Sequence, residues 1–242
     1  MTAYAVISDV HANLEALHAV LEKLEKANVD RILFLGDSVG YGPNPNECTE
    51  ELKDRSAVFI AGNHDWAAVG KNDSASFNIH AKTAIDWTRE LLTAENREYL
   101  AARPLTAELE EDDIFLVHGS PYEPQKWHYL YSEYDTVDNF SHFKEKICFV
   151  GHSHVPFIAE YPGRGTVSFH DNITKIKTDC RYIVNAGSIG QPRDGNPEAA
   201  YVILRDRAIE IKRTSYDIVL TQNKMKKAGL PSYLIDRLSE GR

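Results

Sequence analysis

Over its first quarter the chain alternates short apolar runs with helical periodicity. Tyr4 to Ser8 is a compact apolar run closing on polar residues, the pattern of a buried strand. Leu14, Leu17, Leu21 and Leu24 follow at spacings of three and four, so they share one helical face. Asn13 stands where an N-cap belongs, Glu15 falls in the first turn where the helix dipole favours it, and Asn28 can end the helix. Ile32 to Leu35 and Val58 to Ala61 predict the second and third strands. Between them, Gly40-Tyr41-Gly42-Pro43-Asn44-Pro45 is too rich in turn formers for regular structure. Strand, loop and helix in repetition predict parallel strands with covering helices.

From Ile79 to Ala102 the pattern is helical, in two pieces broken near Thr93, and Pro104 stops it. Leu105 to Glu110 and Ile114 to His118 predict a hairpin around Asp112-Asp113, with the acidic run Glu108 to Asp113 as its solvated turn. Ser132 to His142 holds a short helix. Ile147 to Val150, Phe157 to Tyr161, Thr166 to Phe169, Arg181 to Asn185, Ala200 to Arg205 and Ile209 to Arg213 then follow as closely spaced strands. A helical tail occupies about 218–242, punctuated by Gly229 and Pro231. With no repeat, linker or low-complexity segment, residues 1–242 predict one domain of two packed sheets with helices outside.

Composition narrows the setting. Of the 242 residues, 43% are hydrophobic and 26% charged, as expected of a folded core. No apolar stretch approaches the ~18 residues of a membrane span. The run at Ala3 to Ile7 leads straight into Asp9 and His11, so it is not a removable secretory signal. Cys48, Cys148 and Cys180 lack Cys-x-x-Cys spacing and are expected to be free thiols in a reducing cytoplasm. A net charge of -9 argues against nonspecific nucleic-acid binding. It leaves an anionic substrate open, because bound divalent cations reverse the local sign.

The chemistry sits where apolar runs end. Asp9-Val10-His11, Gly36-Asp37, Gly62-Asn63-His64-Asp65, Val117-His118-Gly119 and Gly151-His152-Ser153-His154 are followed by Asn185-Ala186-Gly187-Ser188. Taken singly, each is an ordinary set of turn residues. As an ordered set at strand ends, they bring carboxylate, amide and imidazole donors to a shared crevice, with no thiolate. That mixture suits manganese, iron, zinc, cobalt or nickel. Seven ligands exceed what one ion needs, whereas two ions sharing a bridging carboxylate use them all.

These segments resemble the calcineurin-like metallophosphoesterase superfamily, and within it bacterial members related to diadenosine tetraphosphatase. The resemblance spans nearly the whole chain and also includes Gly36-Asp37-Ser38-Val39-Gly40-Tyr41-Gly42-Pro43, His118-Gly119-Ser120-Pro121 and the run Asn185 to Gly195. It implies a four-layer α/β/β/α sandwich of two mixed sheets flanked by helices. It implies that Asp9, His11 and His154 hold one metal, that Asn63, His118 and His152 hold the other, and that Asp37 bridges both. His64 matches the family's catalytic histidine, which faces the substrate. The implied reaction is hydrolysis of a small phosphodiester, phosphomonoester or nucleotide by a hydroxide between two divalent ions, manganese being the first expectation.

Protein Ser/Thr phosphatases of the superfamily carry Asp-Arg-Gly where this chain has Gly40-Tyr41-Gly42. Their aspartate orients the catalytic histidine and their arginine binds phosphate. Asp65 is the candidate to take over the first task and Arg193 the second. Tyr41, Tyr122 and Trp127 are candidates to line the substrate pocket. His18, His80, His128, His142 and His170 stand outside any motif and are expected to be structural. A protein phosphatase is the competing reading. A non-catalytic scaffold is a third, weakened because such a protein is expected to lose His64 or several ligands.

Overall fold

The computed structural model describes residues 2–73 and 77–242. Among the described residues twelve strands form two six-stranded sheets. The first holds β1 (Tyr4–Ile7), β2 (Arg31–Phe34), β3 (Ser56–Phe59), β9 (Ile173–Lys175), β11 (Ala199–Arg205) and β12 (Ala208–Thr214), in the order β3-β2-β1-β11-β12-β9. The second holds β4 (Thr106–Leu109), β5 (Ile114–Val117), β6 (Ile147–Val150), β7 (Phe157–Tyr161), β8 (Ser168–His170) and β10 (Arg181–Asn185), in the order β4-β5-β6-β10-β7-β8. Both sheets are mixed. β1, β2 and β3 run parallel in one, β5, β6 and β10 in the other, and antiparallel strands complete each.

The alternation of side chains across each strand builds the layers. Tyr4 and Val6 of β1 join Leu33, Ile114, Leu116, Ile147, Phe149, Tyr182, Val184 and Val202 in the core between the sheets. The intervening Ala5 and Ile7 face outward, onto Leu17, Val20, Leu21 and Leu24 of α1 (Leu14–Ala27). On the other sheet Val117, Cys148, Val150 and Ile183 face outward, against Leu130 and Phe140. Such strands are buried on both faces, which is why their sequences are continuous apolar runs rather than alternating ones. The result is the expected four-layer arrangement.

Local chemistry sets the helix ends. Asn13 caps α1, its side chain accepting from the Ala16 N–H, and Asn28 closes the helix in the left-handed conformation. Thr93 caps α5 (Ala94–Ala101), so the break after α4 (Ile79–Leu91) falls where expected. α6 (Glu133–Asn139) is the expected short helix, and α7 (Ile218–Lys227) and α8 (Ser232–Asp236) form the tail. Met225, Leu230, Leu234, Ile235 and Leu238 of the tail pack around Tyr41 and Ala84. Among the strands and α-helices of the described residues, three had no sequence expectation. They are β9, α2 (Pro45–Arg55) and α3 (Asn63–Ala68), the last of which begins on a candidate ligand. All three cysteines are buried and free of disulfides. No helix among the described residues is long and apolar enough to cross a membrane.

Candidate metal centre

The polar residues that end the parallel strands gather at one rim of the sandwich. Asp9 and His11 follow β1, Asp37 follows β2, and Asn63 opens α3 after β3. His118 follows β5, and His152 and His154 follow β6. All seven are buried. Buried groups of this kind are stable only when hydrogen-bonded, paired or bound to a cation. Their backbone is bent to deliver them: Asp9, His11, Asp37, His152 and His154 have φ between 49° and 65°. That left-handed region costs a non-glycine residue about 1–3 kcal/mol. Two glycines make room for the carboxylates. A Cβ on Gly62 would stand 2.0 Å from Asp37 Oδ1, and one on Gly151 would stand 2.5 Å from Asp9 Oδ2.

Each carboxylate is anchored through one oxygen. Asp9 Oδ2 accepts from the His152 backbone N–H at 3.0 Å, leaving Oδ1 buried without a hydrogen-bond donor. Asp37 Oδ1 accepts from the His64 N–H at 2.8 Å, while Oδ2 lies 3.6 Å from His11 Nε2 and 3.3 Å from His118 Nε2. Three imidazoles are held from behind. Nδ1 of His11, His118 and His154 faces the carbonyl oxygens of Val39, Leu35 and Gln191 at 3.1, 2.8 and 2.6 Å. A ring nitrogen against a carbonyl carries the proton, so Nε2 of each neutral ring offers a lone pair forward.

The consequence is sharpest at His11 and His154. Their Nε2 atoms stand 3.1 Å apart, with Asp9 Oδ1 at 3.6 and 3.2 Å. Two lone pairs and a carboxylate oxygen converge in a buried space, an arrangement that requires positive charge among them. Asp9, His11 and His154 form one such group and Asp37, His118 and His152 another, with the donor atoms of each within 4.8 Å of one another. A third combination, His11, Asp37 and His64, sets His64 against both. Asn63 adds a buried amide oxygen with no partner. These donors fit borderline or hard divalent cations.

The electrostatics agree. Burial opposes charge on His118, but the Asp37 and Asp9 carboxylates outweigh it and raise its pKa to about 9. Burial lowers His152 and His154 to about 3. It also works against ionised Asp9 and Asp37, yet the surrounding histidines hold both carboxyls below their ordinary range.

His64 lies in the same rim, its ring 4.5 Å from that of Tyr41, 4.7 Å from Phe77 and edge-on to His11 at 4.8 Å. Its Nδ1 is buried and unpartnered, and burial holds its pKa well below the ordinary value. Burial in the rim thus favours the neutral form of His64 rather than one titrating near neutrality. Asp65 does not orient it. The Asp65 carboxylate accepts from the backbone N–H groups of Asp37, Ser38, Val39 and Gly62 and from Ser38 Oγ, at 2.7 to 3.3 Å. Successive helical residues point in different directions, so Asp65 shapes the loop carrying Asp37 while His64 faces the rim.

Arg193 donates through Nη2 to Tyr41 Oη at 3.2 Å and to Gln191 Oε1 at 2.8 Å. Tyr41 is itself buried, its ring 4.5 Å from that of His11. Tyr122 stacks on His128 away from the cavity that Trp127 lines. His18, His80, His128, His142 and His170 join none of the donor groups found among the described residues. Several partners were not visible in the sequence. The carbonyls of Leu35, Val39 and Gln191 have no side-chain signature, and Tyr129, stacked on His152 at 3.9 Å and 17°, lies in the aromatic loop run Trp127-His128-Tyr129-Leu130-Tyr131, which matches no motif. Asn185 was visible as a motif without a role. It donates to Gly151 O and Ser153 Oγ, bracing the loop that carries both rim histidines.

The description Calcineurin-like phosphoesterase superfamily domain matches residues 3–207. The chain belongs to the calcineurin-like phosphoesterase superfamily. Membership makes it a phosphoric ester hydrolase of a metal-dependent family. The crystal structure of a metallophosphoesterase from Sphaerobacter thermophilus superposes with a TM-score of 0.87 at 39% identity, covering 100% of this chain and 99% of that one. The protein MJ0912 of Methanocaldococcus jannaschii is 40% identical over 242 residues, 98% of each chain. Phosphodiesterase YfcE of Escherichia coli is 23% identical over 225 residues, 89% of this superfamily member and 94% of YfcE.

Proposed function

We infer that this chain is a dinuclear metallophosphoesterase acting on a small phosphodiester, phosphomonoester or nucleotide. In this reading Asp9, His11 and His154 hold one divalent ion, Asn63, His118 and His152 hold the other, and Asp37 is shared. The observation that supports it most directly is the convergence of His11 Nε2, His154 Nε2 and Asp9 Oδ1, continued through Asp37 Oδ2 to His118. When bound, the two ions supply Lewis acidity toward phosphoryl oxygens and lower the pKa of an attacking water. Manganese suits these donors, as do iron, zinc, cobalt and nickel.

The chain's own groups supply the rest. His64 hydrogen-bonds the leaving oxygen and delivers a proton to it, the negative phosphate offsetting the burial that keeps the free ring neutral. Arg193, held by Tyr41 and Gln191, faces the phosphoryl group with a guanidinium fixed in one orientation. Tyr41 keeps His11 and His64 at a set separation. Asp65 supports the Asp37 loop from behind.

Elemental analysis after chelation and reloading with excess manganese tests the reading. Two ions per chain are expected. Asp37→Ala should damage both sites and His154→Ala mainly one. A wild-type protein that retains one ion or none after loading overturns the dinuclear arrangement.

A further inference from the structure

Beside the donor cluster opens a cavity of about 580 Å³, within the roughly 300–1,000 Å³ typical of small-molecule sites. Asn63, His64 and His152 belong to its lining and join it to the rim. Its walls are aromatic. Phe77 packs on His64, Tyr129 lies flat over His152, and Trp127 stands edge-on to His118. Between these rings the lining is rich in amides, including Asn72 and Gln125. Among the lining residues Lys126 is the one permanent charge, and there is no carboxylate. Among the described residues, the side chains of Asn72, Gln125 and Lys126 have no partner within the chain, and the buried Trp127 Nε1–H has none either.

Each feature selects a property of the ligand. Aromatic walls select a flat ring, since base–aromatic stacking strengthens binding about five- to 150-fold. Amides donate and accept together, which a plain phenyl ring cannot answer but the edge of a nucleobase can. A lone cation among otherwise neutral walls leaves the ester phosphate to the rim and offers little to a polyphosphate chain. We propose that this cavity receives the nucleoside of a nucleoside phosphate ester, placing its ester oxygen toward His64 as the leaving group. The assignment rests on the phosphoesterase reading. In the reaction the ester P–O bond breaks, water adds its hydroxyl to phosphorus, and the nucleoside oxygen leaves with a proton.

Two measurements test it on manganese-reloaded enzyme. The first is equilibrium binding of adenosine 5′-monophosphate against ribose 5-phosphate. The expected preference for the nucleotide is about tenfold or more, and equal affinities overturn the proposal. The second is the ratio of kcat/KM for the methyl phosphodiesters of adenosine and of base-free ribose. It should exceed about ten in the wild type and shrink toward one in Phe77→Ala and in Gln125→Ala. The ratio cancels any general loss of activity in these variants, and a wild-type ratio of one also overturns the proposal. If neither ester nor bis(4-nitrophenyl) phosphate is cleaved while the nucleotide still binds preferentially, the phosphoesterase reading and the leaving-group placement are overturned, and nucleoside recognition by the cavity alone stands. If both esters are cleaved equally and both monophosphates bind equally, the cavity assignment fails and the phosphoesterase reading stands.

Discussion

At the scale of single residues the rim combines strain with incomplete bonding. Five candidate ligands occupy left-handed backbone, namely Asp9, His11, Asp37, His152 and His154, and polar atoms such as Asp9 Oδ1 and Asn63 Oδ1 are buried without donors. His118 makes this measurable. The Asp37 and Asp9 carboxylates outweigh burial and raise its pKa to about 9, above the ordinary histidine value of about 6.5. A raised histidine stabilises the fold below its unfolded pKa and loses that contribution as pH rises through the folded one. The metal-free protein should therefore lose stability between about pH 6.5 and pH 9. An ion must displace the same proton, so metal affinity should fall about tenfold per unit as pH drops below that value. Calorimetric titration in buffers of different ionisation enthalpy should report one proton released per ion at this site. Release of none would contradict the assignment. His64→Ala should keep both ions yet lose about 10²–10⁴-fold in activity. The loss should be larger for alkoxide than for nitrophenolate leaving groups, and an unchanged dependence on leaving-group pKa would refute proton delivery by His64.

At the scale of elements, Asn13 shows how one side chain can serve three. It caps α1 through Ala16, donates to Gly190 O in the loop beside Asp9, and accepts from Thr221 Oγ1 of α7. Asn13→Ala should cost about 2–4 kcal/mol from the lost cap and the unpaired buried groups. In a chain of this size, that lowers Tm by roughly 4–16 °C. A thermal scan showing no shift would mean these bonds are replaced by others. The same elements show what was legible in advance. β1, β5 and β6 were readable because burial on both faces leaves uninterrupted apolar runs. α2 was hidden because its buried residues are Pro45, Cys48, Thr49 and Leu52, too weak a stripe to register as periodic. α3 was hidden because its first turn is made of site residues. The candidate ligands were visible because each lies shortly after a strand, whereas Asp65 was assigned to His64 on adjacency, which carries no information about direction within a helical turn.

At the scale of the whole molecule, the donors of each proposed ion come from both sheets. Asp9 and His11 belong to one sheet and His154 to the other, and His118 Nδ1 reaches Leu35 O across the same gap. An ion bound there stabilises the closed sandwich only, by about 2.7 kcal/mol at a hundredfold excess over Kd. Chelation should therefore lower Tm by roughly 5–11 °C. Equal Tm values with and without a chelator, at confirmed metal removal, would mean that the ions do not join the sheets. The wide separation of these donors along the chain also has a bearing on biosynthesis. A nascent chain whose first 150 residues have left the ribosome already displays Asp9, His11, Asp37, Asn63 and His118. It still lacks His152, His154 and Gln191, whose carbonyl fixes the tautomer of His154. On the proposed assignment neither ion has its full set of donors until His152 has emerged, and the ion of His154 also waits for Gln191, so prematurely terminated chains would leave the ribosome with the candidate centre unfinished.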